Sequence, residues 1–134
     1  MAKLSVIEGI GEAYEQKLNA SGVKSMEALL ETCSTKKGRA QLAEKTGISE
    51  KLILTWTNHA DLARIKGIGG QYAELLEAAG VDTVPELAGR KAEKLFKKMV
   101  EVNEARPLVR KLPTEKQVQD WIDQAAKLPR LMQY

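Results

Sequence analysis

Apolar residues recur every three to four positions along most of the chain, and no stretch alternates apolar with polar as a half-buried strand would. A helix is predicted over 12–21, with Tyr14 and Leu18 four apart on one face. A second, over 36–46, stops at Gly47. Ser49 caps the next, over 50–65, where Ile53, Trp56, Ala60 and Ala63 recur at helical spacing. Thr114 and Gln117 form a capping box for the last helix, which turns Val118, Trp121, Ile122, Ala125 and Leu128 inward. Thr83-Val84-Pro85-Glu86 reads as another capping box, with proline in the first turn, and Ser25 takes the corresponding place earlier. Gly22 and Gly80, just past "LNAS" and "LEAA", are expected as left-handed C-caps. The expected fold class is all-α.

The pattern repeats. "IEGIGEAYEQKLNASGV" (7–23) aligns with "IKGIGGQYAELLEAAGV" (65–81) at an offset of 58, and nine of the 17 positions agree. Further on, "SEKLILTWTNHADLA" (49–63) aligns with "TEKQVQDWIDQAAKL" (114–128) at an offset of 65. The second copy therefore holds about seven extra residues, which fall in the basic stretch 90–113. Two helical repeats are expected, 1–63 and 64–134, sharing a connecting helix around 50–65.

Each repeat has glycines where a helical chain would avoid them, since glycine inside a helix costs about 1 kcal/mol against alanine. Gly9 and Gly67 suit a tight turn with positive φ, and Ile10 and Ile68 tuck inward to anchor it. Gly11 and Gly69 then bare the backbone at the next helix start. There, free N–H groups and the positive end of the helix dipole suit an anion such as phosphate. This pattern, at 7–18 and 65–76, resembles the helix-hairpin-helix motif; 42–53 and 109–118 look like degenerate third and fourth hairpins. The whole architecture, down to "GISEKLILTWTNHADL" (47–62), resembles the bacterial domain-of-unknown-function family 4332 over nearly the full chain. The resemblance implies duplicated helix-hairpin-helix (SAM-like) units in one compact chain.

In that class, hairpin amides grip the DNA backbone without reading bases. Carried over by position, the grip falls on Gly9, Gly11 and Glu12, and on Gly67, Ile68, Gly69 and Gly70. Arg64 and Lys66 flank the second hairpin, and phosphate contacts supply most nonspecific affinity. Glu8 and Glu12 flank the first, where a carboxylate repels phosphate, so the second hairpin is the DNA candidate and the first a structural turn. Tyr14 and Tyr72 stand where many DNA-binding versions have a small residue, and are expected to pack the interior.

Charge adds a second candidate surface. The chain of 134 residues carries a net +3. Residues 1–34 and 61–90 are each net −2, whereas 35–60 are net +3 and 91–134 net +4. Lys36, Lys37 and Arg39 in "TKKGR", and Arg90 and Lys91 opening "RKAEKLFKKM", occupy matching places in the repeats. Either group extends a phosphate track or simply forms a solvated face.

Composition argues against other chemistries. At 43% hydrophobic and 29% charged, the chain resembles ordinary globular proteins. No apolar run approaches the ~20 residues of a membrane span, and "MAKLSVIEGIG" lacks a signal-peptide core. A cytoplasmic protein without membrane partners is expected. The single cysteine, Cys33, reads as a buried hydrophobe and the single histidine, His59, as structural. No cluster has metal-ligand spacing, and Glu8, Glu12 and Glu15 gather at a helix start for dipole reasons. No cofactor and no catalysis are expected. The expected function is sequence-nonspecific binding of double-stranded DNA through its phosphates; the alternative is a protein–protein adaptor. The tail "KLPRLMQY" is apolar enough to dock on its own chain or another.

Overall fold

Caps and glycine stops divide the chain into short helices. The computed structural model describes residues 3–134. Within them lie a single 3-10 turn, Leu4–Val6, and eight α-helices: α1 (Glu12–Ala20), α2 (Met26–Cys33), α3 (Lys36–Thr46), α4 (Glu50–Leu62), α5 (Gly70–Ala78), α6 (Val84–Ala88), α7 (Ala92–Ala105) and α8 (Glu115–Lys127). No strand occurs among the described residues, so the fold is all-helical. None of their helices is long and apolar enough to cross a membrane.

The expected caps are mostly realised. Ser25 Oγ accepts from the Ala28 N–H at 3.0 Å, and Ser49 Oγ from the Leu52 N–H at 3.2 Å. Thr114 and Gln117 exchange hydrogen bonds at 3.1 and 2.8 Å, the full capping box. After α1, Val23 N–H reaches back to Leu18 O at 2.9 Å; after α5, Val81 N–H reaches Leu76 O at 2.9 Å, the six-to-one bond of a Schellman stop. Thr83 departs from expectation, since its side chain makes no cap hydrogen bond. Glu86 turns instead to accept from the Asp82 N–H at 3.0 Å. The helix expected over 50–65 ends at Leu62, because Ile65 N–H closes a tighter turn onto the Leu62 carbonyl, at 3.1 Å, ahead of the glycines.

The chain divides into two compact units. The first runs through Asp61 and takes in Leu131–Tyr134. Its core holds Leu4, Ile7, Leu18, Leu29, Ile53 and Trp56, and α2 packs on α3. The tail docks here. Gln133 N–H donates to Ser34 O at 2.7 Å, Met132 is buried, and Tyr134 Oη meets Asn58 Oδ1 at 3.2 Å. Cys33 lies beneath, and burial pushes its thiol up to about 11, against the opposing pull of a Thr57 hydrogen bond and the Arg39 charge.

The second unit is Leu62–Arg130. Helix α8 is its centre: α6 and α7 both pack on it, and α5 packs on α7. Val118, Trp121, Ile122 and Ala125 form the buried face of α8, meeting Ile68, Leu76, Leu87, Leu95 and Met99 in one cluster. Full burial of an aliphatic side chain of this kind contributes about 1.5–3 kcal/mol. The segment after α7 starts at Pro107, which cannot continue a helix, and runs to α8 without regular structure.

Candidate nucleic-acid interface

Each glycine turn closes over a tryptophan of its own unit. Gly9 has φ +94° and Gly67 φ +102°, a region that glycine enters without strain. A Cβ on Gly9 would stand 3.4 Å from Trp56 Nε1; one on Gly67 would stand 2.9 Å from Trp121 Nε1. The turns are tied by Ile10 N–H to Ile7 O and Ile68 N–H to Ile65 O, at 3.2 and 3.1 Å, with all four isoleucines buried. Tyr14 meets Trp56 edge-on at 5.0 Å between centroids, and Tyr72 meets Trp121 at 5.3 Å. Both tyrosines thus brace the tryptophans, as interior packing requires.

Gly11 and Gly69 are the N-caps of α1 and α5. Both have extended backbone, both are exposed, and neither has a side-chain cap bond. A Cβ on either would meet nothing within 4 Å. The first amides of an α-helix have no acceptor within it, so α5 presents those of Gly70, Gln71 and Tyr72 at its open end. Gly67, Gly69, Gly70, Gln71, Tyr72, Arg110 and Lys111 line a cleft of about 400 Å³ there. It joins the dipole-positive end of a helix to two cations from a distant segment.

The other expected residues are placed unevenly. Lys66 is exposed, and its peptide is locked from below: Gln124 Oε1 accepts from Lys66 N–H at 2.9 Å while Gln124 Nε2 donates to Lys66 O at 3.1 Å. Arg64 is half-buried, and its Nη2 donates to Pro129 O at 2.7 Å. Ile68 is a buried anchor of the turn rather than a surface contact. Lys36 and Lys37 are exposed at the start of α3, but Arg39 is buried at 4% exposure. Its guanidinium donates to Cys33 O at 3.0 Å and Gln133 O at 2.9 Å and lies 5.8 Å from the Tyr134 ring. Expected as a surface cation, Arg39 is a staple for the tail.

Lys91 is the exposed N-cap of α7, while Arg90 donates to Gly80 O at 2.9 Å and so satisfies the end of α5. None of the cations over 90–99 lines the cleft; Arg110 and Lys111 do. Periodicity did not single out this pair. A local signal exists nonetheless: two adjacent cations flanked by apolar Leu108-Val109 and Leu112-Pro113, within the basic stretch 90–113.

The first turn carries a different charge. Glu8 and Glu12 are exposed beside Gly9 and Gly11, and Glu12 accepts from Gln16 Nε2 at 3.4 Å. Among the described residues no group of three or more His, Cys, Asp or Glu side chains could hold a metal ion.

No curated protein and no solved structure is significantly similar to the chain. The family described as "Domain of unknown function (DUF4332)" matches residues 8–128. That span includes both glycine turns, both tryptophans and the Arg110–Lys111 pair, so the chain belongs to the DUF4332 family.

Proposed function

We propose that the protein binds double-stranded DNA without reading sequence and without catalysis, in the cytoplasm, as a tandem helix-hairpin-helix protein with one repeat in each half. The second hairpin is the contact. The observation that carries this reading is the cleft at Gly67–Gly70, where an uncapped helix opening, exposed glycines, Arg110 and Lys111 converge. Exposed Lys66, the chain neighbour of the lining residue Gly67, adds a third cation. Phosphates suit this chemistry: amides and a helix dipole for the oxygens, cations for the charge. No base-reading side chain is needed, so binding is indifferent to sequence.

Three phosphate contacts predict that log K falls against log salt with a slope of about −3, at roughly −0.9 per contact. Retention of the protein by a duplex at rising salt tests this. Lys66→Glu and Gly69→Ala are expected to weaken binding while leaving the helical circular dichroism intact. Absence of binding at 50 mM salt, or indifference to both substitutions, would overturn the proposal.

A second reading, a protein adaptor on the same scaffold, is favoured by the exposed Glu8 and Glu12 at the first turn, which repel phosphate and suit a basic protein surface. Capture of a defined basic partner, lost in Glu8→Lys and Glu12→Lys, would support it.

A further inference from the structure

The cleft's two cations are not on a helix, and flexible cations pay ordering entropy when they bind. What holds them is visible in the second unit. Asn103, half-buried in the last turns of α7, makes three hydrogen bonds to the segment that follows. Its Oδ1 accepts from Leu108 N–H at 2.8 Å and from Val109 N–H at 3.0 Å, and its Nδ2 donates to Val109 O at 3.2 Å. On the other side of the pair, Tyr72 Oη donates to Lys111 O at 3.0 Å. Val109 and Pro113 are buried, and Leu108 and Leu112 pack on the core. Arg110 and Lys111 are the exposed residues between these anchors.

The segment is therefore a rigid arm pinned at both ends, with its charged middle on the glycine cleft. Neither pin is needed to end α7, which Arg106 N–H closes onto Val102 O at 2.9 Å ahead of Pro107. The same tyrosine that donates to the arm also lines the cleft and braces Trp121 beneath the glycine turn. One side chain thus ties the two walls together.

We infer that Asn103 and Tyr72 are positioning residues that hold the Arg110–Lys111 arm against the hairpin cleft, so that one phosphodiester strand is gripped from two sides. This rests on the proposed DNA binding. In the free protein the arm is already formed, so its cations meet phosphate without a loop having to order first.

The test uses the full chain and a fluorescent 20-base-pair duplex, titrated from 50 to 200 mM salt. The wild type is expected to lose roughly 40-fold in affinity over that range, the value for three contacts. The double variant Arg110→Ala/Lys111→Ala is expected to lose only about threefold to fourfold, the value for one remaining contact. Asn103→Ala is expected to move towards the double variant while its far-ultraviolet circular dichroism is unchanged, and to speed amide exchange at Leu108 and Val109. Should Asn103→Ala not fold, Tyr72→Phe, which keeps the ring on Trp121, carries the same expectation for salt dependence.

No wild-type binding at 50 mM salt overturns both the function and the arm. Wild-type binding with a steep slope that survives the double variant overturns the arm alone. A slope that falls in the double variant but stays at the wild-type value in folded Asn103→Ala and Tyr72→Phe overturns the positioning role.

Discussion

Gly67 and Gly69 stand two apart in the same turn and serve different ends. At Gly67 a methyl meets both an unfavourable φ of +102° and the indole of Trp121 at 2.9 Å. Gly67→Ala is expected to cost about 2–4 kcal/mol in urea unfolding. Gly9→Ala should cost less, because its methyl would stand 3.4 Å from Trp56. Gly69 has ordinary backbone and open space, so Gly69→Ala should cost about 1 kcal/mol or less, the scale of an N-cap change. Its effect belongs in duplex affinity. Gly38 is a fold residue of another kind: a methyl there would strike the Thr32 carbonyl. Despite the roughly 1 kcal/mol that alanine gains in a helix, Gly38→Ala is expected to destabilise by about 1–3 kcal/mol. Cys33 carries a pH dependence. Its native thiol sits near 11 against an ordinary 9.0, so the unfolded chain ionises first. The cysteine's contribution is whole below pH 9 and lost as pH rises to about 11. In Cys33→Ala the stability difference between pH 8 and pH 11, read by denaturant unfolding, should shrink by roughly 2–3 kcal/mol.

Among the elements, local chemistry was the most legible part of the sequence. Ser25, Ser49 and the Thr114–Gln117 pair can be read as caps because each acts within four residues of itself. Thr114→Ala should therefore cost about 1 kcal/mol, visible as a melting temperature several degrees lower. The Thr83 box is not formed: the Glu86 carboxylate accepts from the Asp82 N–H, one residue short of the Thr83 N–H that the box requires, a choice that spacing alone does not rank. Likewise glycine spacing announced the positive φ at positions 9 and 67 but not the tryptophans beneath them. Those indoles come from helices 47 and 54 residues further on, counted from Gly9 to Trp56 and Gly67 to Trp121.

At the scale of the molecule, the sequence showed that basic residues cluster but not which of them share a surface. Arg39 went to the tail and the cleft took Arg110 and Lys111 through contacts between segments remote in sequence, while Arg90 turned back ten residues to the Gly80 carbonyl, a choice that charge pattern does not rank. The two turns keep the same backbone and differ in charge, so under the proposed function charge decides which of them takes a phosphate. On that reading Glu8→Lys/Glu12→Lys is expected to raise duplex affinity at low salt, measured by anisotropy, because the first turn's amides then face no carboxylate. The pairing of turn and indole offers a way to watch this. Trp56 and Trp121 are the chain's two tryptophans, and each sits under a different turn. With either one replaced by phenylalanine, tryptophan emission, excited beyond the tyrosine absorption band, comes from a single site, and the two halves can be followed separately without any added label.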